Sequence, residues 1–275
     1  MPTALVSASK PIFWRDSNLP FLEARSVRDG RKVCYDRHSH ETFSIGLVSS
    51  GRCQYVNGQN SERIGAGTVV LMNPGDVHAC NPIGDERWSY LMLYIDVHWL
   101  SAIQFDPDVR SGHDFAPFLA TSTTRPELYA GLKYLFATLV SPEIEPLQKH
   151  CAAVSYMGLV QRSLQRGTAA SRIKCPKIER AAEFIRQNCQ RALKLDEICK
   201  EAALSASHLI RAFKDIYGLT PHAYLVNCRI EFCRSQIRLG RPLAEIAVAA
   251  GFSDQAHLQR SFKKLVAATP GQYRT

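Results

Sequence analysis

Leu258 and Phe262 stand four residues apart, the spacing of neighbours on one buried face of a helix. That leaves Gln255, Gln259, Arg260 and Lys263 on or beside the exposed face. A Gln amide can pair with an adenine edge, and a guanidinium with guanine or with phosphate. A second set, Ser207, His208, Ile210, Arg211 and Lys214, surrounds Leu209 and Phe213 at the same spacing, and His257, standing where His208 stands, is counted with the first set as an expected DNA contact. Ile210 there offers apolar surface to a thymine methyl. The chemistry is recognition of base edges and phosphates, with the first set the less polar of the two.

These sets belong to an internal repeat. Leu195, Glu197, Ile198, Ala202 and Ser205 recur 48 residues on as Leu243, Glu245, Ile246, Ala250 and Ser253. At an offset of 49, His208, Leu209, Arg211, Phe213, Lys214, Thr220, Pro221 and Tyr224 recur as His257, Leu258, Arg260, Phe262, Lys263, Thr269, Pro270 and Tyr273. Each copy reads as a short amphipathic helix, a tight turn and a second helix, which is helix-turn-helix architecture. In the second copy Gly251 suits a positive φ, and Ser253 or Asp254 can cap the helix that follows. Between the copies, residues 222–239 read as one helix of roughly 27 Å ending at Gly240, a spacer able to set two recognition helices into successive major grooves. Arg229, Arg234 and Arg238 on that spacer are expected to add phosphate contacts.

Charge agrees with this division. Residues 1–171 carry 16 Lys plus Arg against 16 Asp plus Glu, whereas residues 172–275 carry 18 against 9, so the whole excess of +9 sits in the C-terminal part. A basic domain beside a neutral one is suited to a polyanion. No basic amphipathic stretch with exposed aromatics favours a membrane surface, and no run approaches the roughly 20 apolar residues of a membrane span. The N-terminus lacks the pattern of a secretory signal, and the nine cysteines are scattered without a C-x-x-C pair, so a reducing cytoplasm is the expected setting.

The N-terminal part reads differently. Short strands ("TFSIGLV", "CQYVNG", "TVVLM", "WSYLMLYI") separated by turn residues occupy residues 42–95 and favour a small antiparallel barrel or sandwich. Helices follow at about 127–140 and 146–165, and residues 166–176, "RGTAASRIKCP", read as a linker. His38, His40 and His78, with Glu41, Trp88 and Tyr90, are the polar and aromatic residues placed to line a ligand site there.

The repeat, and above all "PLAEIAVAAGFSDQAHLQRSFKKLVAATPGQYR", resembles the DNA-binding domain of the AraC/XylS family of regulators. The resemblance implies a bipartite site on double-stranded DNA, with Ser207, Ile210 and Arg211 at first-helix contact positions and Gln255, Gln259 and Arg260 at second-helix ones. It also implies a homodimer joined through the helices of residues 127–165, contact with RNA polymerase, and activation. "RHSHETFSIGLVSSG" and "GTVVLMNPGDVHA" are similar to the cupin-like sensory domain of that family. Cupin enzymes hold a metal with an H-x-H pair and a third His, and His38, His40 and His78 stand at comparable places. The ligand set is incomplete, however: Ile45 occupies the neighbourhood of the expected Glu, and Glu41 would point to the other face of the strand.

The expected fold is α+β in two domains: a cupin-like antiparallel β-barrel followed by helices (1–165), a linker (166–176), and an all-α domain with two helix-turn-helix units joined by a long helix (177–275). The expected function is a sequence-specific transcription regulator, not an enzyme, controlled by an unknown small-molecule effector and using no metal or cofactor. Two alternatives stay open: a metal-dependent cupin enzyme fused to a DNA anchor, which bound metal lost on changing His38 and His40 would reveal, and a cysteine redox sensor, which needs a low-pKa thiol.

Overall fold

A computed structural model describes residues 10–104, 115–165 and 175–274. The chain divides into two compact units. One comprises Met1–Cys34, Glu41–Asp76 and Cys80–Ser171; the other comprises Tyr35–His40, Val77–Ala79 and Arg172–Thr275. Residues 166–174 of the expected linker lie outside the described residues, while Cys175 and Pro176 already open a helix.

In the first unit the strands are β1 (Ile12–Arg15), β2 (Leu22–Val27), β3 (Phe43–Ser50), β4 (Arg52–Asn57), β5 (Asn60–Gly65), β6 (Val69–Met72), β7 (His78–Pro82, whose first two residues count with the other unit), β8 (Ser89–Ile95) and β9 (Ser122–Thr123). The helices are α1 (Val97–Gln104), α2 (Pro126–Val140) and α3 (Pro146–Ser163). The strands make a six-stranded sheet in the order β1-β2-β8-β3-β6-β9 and a three-stranded sheet in the order β5-β4-β7. Two sheets therefore stand where a barrel was expected. Among the described residues the larger one ends in β1 on one side and in the two-residue β9 on the other, so its ladder does not run round a closed ring there. Tyr55 on β4 ties the sheets together, its hydroxyl donating to the Leu71 carbonyl of β6 at 2.9 Å.

Strand alternation sorts the larger sheet into two faces. Leu22, Ala24, Phe43, Ile45, Leu47, Leu93 and Ile95 form one cluster with Leu128, Leu132, Leu135 and Leu139 of α2 and with Tyr156, Met157 and Val160 of α3. The three- and four-residue spacing of the leucines is what turns one side of α2 onto the sheet, and each such side chain contributes about 1.5–3 kcal/mol by burial. Pro126 and Pro146 start their helices at positions where no N–H is needed.

The second unit contains α4 (Pro176–Gln187), α5 (Leu195–Ala202), α6 (Ala206–Tyr217), α7 (Pro221–Arg238), α8 (Leu243–Ala249), α9 (Gln255–Val266) and α10 (Pro270–Arg274). Its core joins Ile178, Ile185, Ile198, Leu209, Phe213 and Leu225 with Val77. Segment Tyr35–His40 is held to α7 by Asn227, whose side-chain oxygen accepts from the Ser39 N–H at 3.1 Å while its nitrogen donates to the Ser39 carbonyl at 2.9 Å. His38 and His78 exchange both backbone hydrogen bonds, 3.1 and 2.9 Å long, as an isolated antiparallel bridge.

Candidate nucleic-acid interface and effector site

The first helix-turn-helix is α5, a turn and α6. Ala203 in the turn takes a left-handed φ of 50°, and α6 then buries Leu209 and Phe213. Ser207, His208, Ile210, Arg211 and Lys214 are all exposed on it. Gly218 closes α6 at φ 69°, and the Thr220 hydroxyl caps α7 by accepting from the Ala223 N–H at 3.2 Å.

In the second unit α8 leads through Gly251, at φ 77°, to Asp254, whose carboxylate accepts from the His257 N–H at 2.7 Å and caps α9. That hydrogen bond is the main cause holding the Asp254 carboxyl below its ordinary pKa. Helix α9 buries Leu258, Phe262 and Val266 and leaves Gln255, Gln259, Arg260 and Lys263 exposed. His257 departs from this group. It is half-buried, its Nδ1 lies 3.1 Å from the Ser253 hydroxyl, and its ring meets Phe252 edge-on at 5.1 Å.

The spacer helix α7 corrects the expectation for two of its arginines. Arg229 is only 9% exposed and Arg234 6%, so neither faces solvent, where phosphates would be met. Arg229 donates to the carbonyls of Cys189 and Arg191, while Arg234 pairs with Glu231 at 3.0 Å and lies over the Tyr273 ring. Arg238 remains exposed. The helix period showed which residues share a face but not what covers it.

Of the expected effector residues, the structure brings together His38, His40 and His78, with ring centroids 4.5, 4.7 and 6.2 Å apart. The His38 ring also stacks on Tyr35, and its Nδ1 lies 2.9 Å from the Asp36 carbonyl. All three histidines belong to the unit that holds the repeat. Glu41, Trp88 and Tyr90 belong to the other. There Trp88 and Tyr90 stack at 4.8 Å, and Trp88, 1% exposed, packs so tightly on Gly30 that a Cβ there would lie 2.3 Å from the indole nitrogen. Among the described residues no group of three or more His, Cys, Asp or Glu side chains is arranged to hold a metal ion. None of the described helices is long and apolar enough to cross a membrane.

Residues 22–153 match the family model of the AraC-like ligand-binding domain, and residues 198–275 match that of a helix-turn-helix domain. A protein of Bacillus subtilis (strain 168), YbfI, described as an uncharacterized HTH-type transcriptional regulator, is 27% identical over 246 residues, covering 87% of each chain. The chain belongs to the AraC family of transcriptional regulators.

The virulence regulon transcriptional activator VirF of Yersinia enterocolitica is 28% identical to this AraC-family chain over 97 residues, 35% of this chain and 36% of that protein. A ToxT point variant of Vibrio cholerae, solved in its apo form, superposes with a TM-score of 0.60 at 14% identity, over 92% of this chain and 97% of that one. Wild-type ToxT solved with an unsaturated fatty acid bound gives 0.56, also at 14% identity, over 96% of this chain and 93% of that one. The shared architecture is two domains, one built on antiparallel sheets and one helical.

In this AraC-family regulator the ligand-binding part carries buried polar residues that sequence alone does not single out. On the sheet face turned away from α2 and α3, Glu23 pairs with Arg15 at 2.7 Å, and Arg25, 1% exposed, lies over the rings of Phe13 and Tyr90. The register sets Glu23 beside Tyr94 and Arg25 beside Met92 on β8. The one available signal was the alternation in "LEARSV", where Leu22 and Ala24 face the helices and the charged residues between them face the other way.

Proposed function

We propose that this chain is a sequence-specific transcription activator that reads two boxes of double-stranded DNA with α6 and α9, under control of a small-molecule effector. The observation that carries this reading is the pair of matched exposed sets on repeated helices. Ser207, His208, Ile210, Arg211 and Lys214 serve one box, and Gln255, Gln259, Arg260 and Lys263 the other, with His257 shaping the start of α9. Arginine and glutamine supply base-edge hydrogen bonds, and lysine supplies phosphate contact.

The division of labour is an effector-binding and dimerisation domain over 1–165, less residues 35–40 and 77–79, a linker over 166–176, and a DNA-binding domain over 177–275 that those two segments complete. Within the ligand-binding unit Glu41, Trp88 and Tyr90 are the assigned effector residues, joined by Arg25 and Glu23 on β2, while His38, His40 and His78 form a separate cluster in the helical unit. A homodimer through α2 and α3 is supported by Tyr134, Leu147 and Val154, exposed apolar side chains on those helices. RNA polymerase is the further partner and the cytoplasm the setting. No reaction, metal or cofactor is assigned.

Genome-wide DNA capture with the purified chain, beside an Arg211→Ala, Arg260→Ala double variant at fixed salt, tests the reading. The expected result is a two-box site, its boxes about one helical turn apart, enriched by the wild type and lost in the variant. Weak, uniform, salt-sensitive capture by both proteins would leave only an electrostatic anchor and overturn it.

A further inference from the structure

We infer that Arg229 is a positioning residue for DNA recognition: it fastens the two helix-turn-helix units to each other and so fixes the spacing at which α6 and α9 meet their boxes. This rests on the two-box reading above. Arg229 sits midway along α7, buried to 9% exposure. Its Nε donates to the Cys189 carbonyl at 2.7 Å and its Nη2 to the Arg191 carbonyl at 2.9 Å, both in the loop that leads into α5. On its other side the guanidinium carbon lies 5.7 Å from the ring centre of Phe252, in the turn that leads into α9. One planar cation thus touches the entry to the first unit and the turn of the second.

The backbone of both segments closes around it. A Cβ built on Gly251 would fall 2.6 Å from the Gln190 carbonyl oxygen and 3.0 Å from Arg229 Nη2. Loop and turn are therefore in direct main-chain contact beside the guanidinium. The loop passes its position on to α5, because the Glu197 carboxylate accepts from the Lys194 N–H at 2.9 Å and pairs with Arg191 at 2.8 Å. Burial is the main cause depressing the pKa of Arg229, because leaving water disfavours the charged form.

Chemistry explains why an arginine occupies this place. A guanidinium donates along two directions in its plane while its flat face lies on a ring, whereas a lysine ammonium is a point charge on a flexible stem. Linking two recognition modules rigidly makes the second binding event intramolecular, and its advantage depends on how well the link matches the distance between the boxes. Without the clamp the two units keep their own recognition helices but lose the fixed distance.

The test uses the full chain and duplexes carrying the captured site with its two boxes at the native spacing, the same boxes moved apart or together by two to five base pairs, or one box alone. Wild type should prefer native spacing strongly. Arg229→Lys should bind a single box within about twofold of wild type yet lose about tenfold or more of the preference for native spacing, the order of advantage a rigid link supplies. Leu239→Ala, exposed just past the end of the same helix, should keep the spacing profile. Phe252→Leu leaves both hydrogen bonds in place and removes the ring; it should lose part of the preference, and it carries the test should Arg229→Lys not fold. Should a folded Arg229→Lys or Phe252→Leu keep the wild-type spacing profile, the inference is wrong. Wild type that does not distinguish the boxes from scrambled DNA would instead sink the two-box reading itself.

Discussion

Gly251 approaches Gln190 so closely that a methyl group on the former would sit 2.6 Å from the carbonyl oxygen of the latter. Its repeat counterpart, Ala203, holds a side chain at a comparable left-handed φ of 50°. Both turns use a positive φ, but Ala203 is exposed whereas Gly251 is pressed against another segment.

That contrast gives opposite expectations for opposite exchanges. Gly251→Ala should destabilise the helical unit by about 1–3 kcal/mol, from conformational strain together with the close approach. Ala203→Gly should stabilise it by about 1 kcal/mol by relieving strain at a residue with a Cβ. Denaturant midpoints of the two variants check both signs, and a Gly251→Ala protein as stable as wild type would mean that the loop gives way freely.

The cap of α9 should be pH-dependent. The Asp254 carboxyl is held below its ordinary value, chiefly by the His257 N–H, so its contribution is present above the normal carboxylate range, about pH 4, and is lost as pH falls further. Asp254→Asn keeps an acceptor for the N–H but does not titrate. The difference in melting temperature between wild type and Asp254→Asn should therefore shrink or reverse between pH 7 and pH 3, whereas a constant difference would remove the carboxylate from the account.

Asn227 satisfies both backbone groups of Ser39 with one side chain. Asn227→Leu keeps the volume and leaves a buried N–H and C=O without these partners, at a cost of about 2–4 kcal/mol. Asn227→Asp, which still accepts but no longer donates there, should fall between. Chemical denaturation followed by circular dichroism measures the order of the three proteins.

Arg260→Ala should cost about 1–3 kcal/mol on the preferred site and relax the preference at one base pair, if Arg260 reads a base. An equal loss on all sequences would make it a phosphate contact. His257→Ala should behave differently: its ring is engaged with Ser253 and Phe252, so stability should fall while the ranking of site variants stays the same. Binding of a set of single-base site variants at one salt concentration separates these cases.

What the sequence disclosed followed the range of the forces involved. The helices of the repeat were legible because Leu258 and Phe262, or Leu209 and Phe213, declare a buried face within four residues, and Asp254 declares a cap within three. Burial of Arg229 was not legible, since the covering atoms come from residues 189–191 and from Phe252. Strand β2 hid its polar face for the same reason: Glu23 and Arg25 look like surface residues until β1 and β8 are laid on either side. The strands were legible as alternating runs, but their division into two sheets depends on pairings between distant segments. The three histidines stand out by residue type, but their membership of the helical unit rests on contacts that no local spacing encodes.

Val77 occupies a place in the core of the helical unit, and a Cβ on Gly218 would lie 3.4 Å from it. The reader of DNA is therefore not one uninterrupted stretch of gene. Recombination that exchanged only the last hundred residues or so between two relatives would transplant a socket and leave its plug behind, so positions 77 and 218 should be inherited as a pair.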